Sequence, residues 1–197
     1  MSSANTDTRT RILMAALKLL EADDGSAVRM SDIAKEAGIS RQAVYLHFPT
    51  RAELLVAATL YLDEIKDIDG RLAASRNAPD GTARLAAYID AWGNYIPEIY
   101  GVARALLAMQ ATDEAAKLAL AERMQAVRHG CAAVVQALGN DGILSPDHSA
   151  EQATDILWTM LSIRNWEQLT IECGWSQEAY IEKTKVLATA CLVSDEN

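Results

Sequence analysis

Apolar residues recur along this chain every three to four positions, and no stretch alternates with a period of two for long. The pattern predicts helices and no strand. Ile12, Leu13, Ala16, Leu17 and Leu20 form the buried stripe of a first helix, with Thr6 or Asp7 as its cap and Asp23-Asp24-Gly25-Ser26 as its end. Ile33, Ala34 and Ala37 turn inward on a short second helix near 31–37. Gly38 stops it, because glycine takes the left-handed conformation that closes a helix at little cost. A third short helix over 41–48 follows Ser40, a good N-cap, and points Val44 and Phe48 back to the core. Pro49 cannot continue a helix interior. Thr50 then caps a long helix from 51 to about 68, with Glu53 placed to complete a capping box.

Asn77-Ala78-Pro79-Asp80-Gly81 reads as a loop. Five further helices are expected near 82–96, 98–110, 113–138, 149–173 and 176–193. Their breaks fall at Pro97, Thr112-Asp113, the run from Gly139 to Pro146, and Gly174. The fold class is all-α with about nine helices. An N-terminal three-helix module over 1–51 is expected to be followed by a larger helical body over 52–197.

Charge sharpens that division. The formal net charge is −9, yet residues 1–51 hold seven basic against six acidic side chains, and the remainder eleven against twenty-one. No carboxylate interrupts the stretch from Ala37 to Ala52. A small module free to face a polyanion, attached to an acidic body, fits this asymmetry.

Two short helices joined through Gly38-Ile39-Ser40 match a DNA-reading helix-turn-helix. Ala34 and Ala37 are small enough for the second helix to lie close to the third, and Ile39 plugs the turn. Arg41, Gln42 and Tyr45 fall on the outer face near the start of the third helix. Arg and Gln are side chains that can pair bidentately with guanine or adenine.

The wider stretch DIAKEAGISRQAVYLHFPTRAELL resembles the N-terminal motif of the tetracycline-repressor (TetR) family of transcriptional regulators. The resemblance rests on Asp32-Ile33-Ala34, Ala37-Gly38-Ile39-Ser40, Tyr45-x-His47-Phe48, Arg51 and Leu54-Leu55. It is close over roughly residues 9–56 and extends beyond them in helix pattern only. It implies that Arg41, Gln42 and Ala43 face bases of a double-stranded operator, and that Ser40, Tyr45, His47, Thr50 and Arg51 hold phosphates. Two departures stand out. The family usually has lysine where this chain has Arg51, and it favours a threonine cap where this chain reads Val28-Arg29-Met30. Capping of the second helix then falls to Ser31, with Arg29 as an added phosphate contact.

The resemblance further implies a C-terminal domain that binds a small-molecule inducer and forms a homodimer through its last two long helices. Ile156, Met160 and Ile163 supply a stripe on one of these, and Tyr180, Thr184, Leu187 and Cys191 a similar face on the other. Tyr61, Tyr88, Trp92, Tyr95, Tyr100, Met109, Met124 and His129 are the candidate pocket residues. Tyr88, Trp92 and Tyr95 share one helix face, and their polar tips need partners when buried. The blander reading of each of these residues, taken singly, is ordinary core.

Other chemistry is poorly represented. The three histidines lack the spacing of H-E-x-x-H, the three cysteines form no C-x-x-C pair, and no nucleotide-binding glycine motif or nucleophile elbow is present. No metal, cofactor or catalytic role is expected, and the cysteines are expected as reduced, buried thiols. The opening MSSANTDTRTR lacks the apolar segment of a secretory signal, and no apolar run approaches the ~20 residues that span a bilayer. A cytoplasmic regulator without membrane partners is the reading. The alternative is a helical small-molecule-binding protein without DNA-binding function.

Overall fold

The structure is a computed structural model that describes the backbone of residues 2–22 and 28–194 and the side chains from Asp7 onwards within them. The expected Asp23-to-Ser26 helix end lies outside the described residues. Eleven α-helices are present among those described: α1 Ser2–Ala22, α2 Met30–Glu36, α3 Arg41–His47, α4 Arg51–Ile65, α5 Ile68–Arg71, α6 Ala73–Arg76, α7 Gly81–Met109, α8 Glu114–Asn140, α9 Ala150–Met160, α10 Ile163–Glu167 and α11 Gln177–Leu192. A π-helical turn, Gln168–Glu172, follows α10 directly. The described residues form no strand, only an isolated antiparallel bridge between Leu144 and Val193.

The chain divides into two compact units, Met1–Lys66 with Ile99–Met124, and Asp67–Glu98 with Gln125–Asn197. In the first, Ile12, Leu13, Ala16, Leu17 and Leu20 of α1 share a core with Ile33, Ala34, Val44, Phe48, Leu54 and Leu55. Val102, Leu106 and Met109 of α7 and Ala116, Ala119 and Leu120 of α8 belong to the same core. Its apolar burial holds α2 and α3 in place, since helices of seven residues are too short to stand alone. α1 starts at Ser2, upstream of the expected Thr6 or Asp7 cap, because no proline or glycine breaks the chain between Ser2 and Ala22.

The second unit departs from the local signals twice. The helices expected on either side of Pro97 are one helix, α7, with the proline inside it. Proline has no N–H to give the carbonyl four residues back, and that carbonyl, Gly93 O, instead accepts from Gln177 Nε2 at 2.7 Å. Gln177 Oε1 accepts in turn from Trp166 Nε1 at 2.8 Å. Gly93 also lets α11 approach, because a Cβ there would lie 2.8 Å from Ile181 Cγ1.

The second departure is a break in the helix expected over 149–173. It falls between α9 and α10, at Leu161 and Ser162. The carbonyls freed at such a break need partners. Thr159 O accepts from Asn165 Nδ2 at 2.5 Å, Met160 O from the Tyr180 hydroxyl at 3.4 Å, and Leu161 O from Trp92 Nε1 at 2.8 Å. Ser162 caps the restart by accepting from the Asn165 amide at 3.2 Å.

Candidate nucleic-acid interface

The turn between α2 and α3 is built from local hydrogen bonds and one long-range stitch. Gly38 has φ +65°, in the left-handed region, and the Ile39 amide reaches back to Ala34 O at 3.0 Å. Arg11 Nη2 donates to Ala37 O at 2.5 Å and ties α1 to the same turn. Ser40 accepts from the Ala43 amide at 3.1 Å, so α3 begins where its cap predicts. Thr50 accepts from the Glu53 amide at 3.1 Å, and its hydroxyl donates to the Glu53 carboxylate at 3.0 Å. α2 differs from expectation: it starts at Met30, Arg29 stands at the N-cap, and no side chain caps it. Ser31, the expected cap, lies within the helix, which is anchored instead by burial of Met30, Ile33 and Ala34.

Val44 and Phe48 are buried, and the other side of α3 faces water. Arg41 and Gln42 are exposed and Ala43 is half-buried. The Arg41 guanidinium lies 5.5 Å from the Tyr45 ring centroid, and its Nη2 donates to the Tyr45 hydroxyl at 3.2 Å. That hydrogen bond and the stacking limit the rotamers of a long cation before any partner arrives. The side chains of Gln42 and His47 have no hydrogen-bond partner among the described residues. Leu46, passed over in the sequence, projects from the same helix with 81% of its surface exposed.

Arg51 is placed differently from the other expected phosphate contacts. Its Nε donates to Val28 O at 2.5 Å, and its Nη1 reaches both Asp113 carboxylate oxygens at 2.7 and 2.5 Å. The Arg51 side chain is 21% exposed and that of Asp113 15%, while Arg51 Nη2 is buried without a partner among the described residues. Asp113 also accepts from the amides of Ala115 and Ala116 at the start of α8. Burial alone would raise its pKa, but the hydrogen bonds from Arg51 and these amides, with the Arg51 charge, hold it below the ordinary carboxylate value. Arg51 thus clamps residues 28, 51 and 113 within the first unit. A phosphate contact from its guanidinium would compete with Asp113.

The eight candidate pocket residues fall four to each unit. Tyr61, Tyr100, Met109 and Met124 belong to the first, and Tyr88, Trp92, Tyr95 and His129 to the second. Tyr88, Trp92 and Tyr95 are buried on one face of α7, with the Trp92 and Tyr95 rings 5.6 Å apart. Their tips have partners: the Tyr88 hydroxyl donates to Val127 O at 3.0 Å, Trp92 to Leu161 O, and the Arg71 guanidinium lies 5.6 Å from the Tyr95 ring centroid. Burial drives the Tyr88 pKa upward and pushes the Cys131 thiol up to about 12, so neither ionises near neutrality. His129 is exposed and pairs with Gln125 at 2.9 Å. An open depression in the second unit is lined by Arg71, Ala74, Ala87, Asp90, Ala91 and Asn94, none of them among the eight.

Among the candidate interface residues, Ile163, Tyr180 and Thr184 are buried within the second unit. Ile156, Met160 and Cys191 are half-buried. Leu187 is exposed, and so is its neighbour Val186. Cys173 is exposed rather than buried, since it lies beyond the last π-helical turn beside Gly174. No group of three or more metal-ligating side chains occurs among the described residues, and none of the helices searched is long and apolar enough to cross a membrane.

A capped seven-residue helix, held by its apolar side and offering guanidinium, amide and imidazole on the other, defines a helix-turn-helix DNA-binding protein. Residues 12–58 match the family model "Bacterial regulatory proteins, tetR family". The nucleoid occlusion factor SlmA of Marinomonas sp. (strain MWYL1) is 34% identical over 64 residues, 32% of this chain and 32% of that protein. The HTH-type transcriptional regulator CymR of Pseudomonas putida is 25% identical over 173 residues, 87% of this chain and 82% of CymR. A putative transcriptional regulator from Saccharomonospora viridis, solved in complex with choline, shares the fold with a TM-score of 0.74 at 18% identity, over 96% of this chain and 100% of its own. Residues 12–58 are therefore the DNA-binding domain of the tetR family of bacterial regulatory proteins, and the fold of the whole chain is shared with solved regulators. The chain's likeness to SlmA spans only about a third of that protein's length.

Proposed function

We propose that this chain is a homodimeric, ligand-responsive repressor of the cytoplasm, without catalytic activity, that leaves its operator when a small molecule binds. Residues 1–51 carry the reading function, and 52–197 the ligand and the dimer contact. The observation that carries the reading is the water-facing side of α3, where Arg41 and Gln42 are exposed and no carboxylate lies between Ala37 and Ala52. Arg41, Gln42 and Ala43 meet base edges; Ser40, Tyr45, His47 and Thr50 hold phosphates. A two-fold dimer suits this task because paired reading helices meet half-sites about one helical turn apart. Ligand binding lowers operator affinity by shifting a pre-existing equilibrium between two states of the dimer.

Selection from a random pool of DNA duplexes tests this directly. The wild-type protein should enrich a palindromic motif with half-sites spaced by about 10 base pairs. Recovery of the unenriched pool would contradict it, and would favour the binding protein without DNA function.

A further inference from the structure

Leu46 is the most exposed large apolar side chain among the described residues. Single exposed leucines are ordinary on protein surfaces, so its placement is the informative feature. Counting along α3 from buried Val44 at about 100° per residue, Gln42 lies at about 160° and Leu46 at about 200°. Gln42 and Leu46, one turn apart, are therefore the ridge directly opposite the buried stripe. Tyr45 and Ala43 flank that ridge at about 100° and 260°, and Arg41 and His47 lie nearer the buried side at about 60° and 300°. A helix laid in a groove with its buried stripe away from DNA brings this ridge deepest. The major groove presents one apolar group at its base edges, the C5-methyl of thymine.

We propose that Leu46 is a specificity-determining residue that packs against a thymine methyl in each half-site. The inference rests on the DNA-reading function proposed above. Leu46 follows Gln42 by about 6 Å along the helix axis. The contacted thymine should then lie within about two base steps, at ~3.4 Å each, of the base pair that Gln42 reads.

The test uses the duplex selected by the wild-type protein, with each thymidine replaced in turn by deoxyuridine, which lacks only the methyl. One position per half-site should weaken wild-type binding about four-fold, the effect of one buried methyl-sized group. The same replacement should cost Leu46→Ala nothing further. That variant should keep the wild-type circular dichroism spectrum, since Leu46 is 81% exposed. An equal uracil penalty in both proteins at every position would overturn the proposal. So would a Leu46→Ala variant that weakens on selected and scrambled duplexes alike, which would mark a backbone contact. If the wild-type protein selects no sequence, the DNA-reading function itself falls and this proposal with it.

Discussion

The outer face of α3 and the buried face of α7 use polar side chains in opposite ways. On α7, Tyr88 and Trp92 are buried, and each polar tip is occupied by a carbonyl of its own unit. On α3, the side chains of Gln42 and His47 have no hydrogen-bond partner among the described residues, and Leu46 is 81% exposed. Groups satisfied internally hold a fold, and groups left open are available to something outside it. The contrast separates what the chain needs to fold from what it offers for recognition.

Breaking α7's side of the contrast should be costly. Trp92→Ala removes a large buried ring and leaves Leu161 O without its donor. Chemical denaturation should show a loss of about 3–5 kcal/mol. Gly130→Ala should also destabilise, because a Cβ there would lie 2.2 Å from the Tyr88 hydroxyl oxygen. Overpacking of this kind costs about 1–3 kcal/mol, and Tyr88→Phe in the same chain should return part of the loss. A Gly130→Ala protein that melts with the wild type would show that Tyr88 is not held in this position.

Asp113 sharpens the comparison inside the first unit, since here a cation near the reading head does have an internal partner. Asp113→Asn should lose about 1–3 kcal/mol at neutral pH, as the half-buried Arg51 loses its charge-assisted bonds. The folded-state pKa of Asp113 lies below the ordinary 3.8. Its stabilisation is therefore complete above that value and drains away as pH falls through the lower folded one. Denaturation curves for wild type and variant should begin to approach each other below about pH 4 and converge only once pH is below the depressed folded-state value. The same variant measures whether Arg51 reaches DNA: tighter binding to every duplex with a steeper salt dependence would mean that Arg51, once released, holds a phosphate.

Gln42→Ala should have the smallest effect on folding, within about 0.5 kcal/mol. A larger loss would mean that this side chain serves the fold after all.

Legibility in the sequence follows the range of the interactions. Gly38, Ser40 and Thr50 act within three to five residues of themselves, and the turn and caps they predict are in place. Pro97 carried an equally strong local signal for a break, yet the carbonyl it orphans is satisfied by Gln177, 84 residues from Gly93. The interruption at Leu161 has neither proline nor glycine to announce it, and its carbonyl is met by Trp92, 69 residues away. Arg51 reads as a phosphate contact in the sequence, and only the fold sets Asp113, 62 residues on, beside it as a competing partner. Leu46 stands two residues from Val44, so helical spacing already turns it away from the core, and the structure adds the extent of its exposure.

The central claim is that α3 reads sequence through a face the fold does not use. Fluorescence anisotropy with the Arg41→Ala/Gln42→Ala variant, on the selected duplex and a scrambled one, tests it most directly. The variant should stay folded and should bind the two duplexes within a few-fold of each other, each lost base contact removing about 10–100-fold of discrimination. Retained preference for the selected duplex would contradict the account.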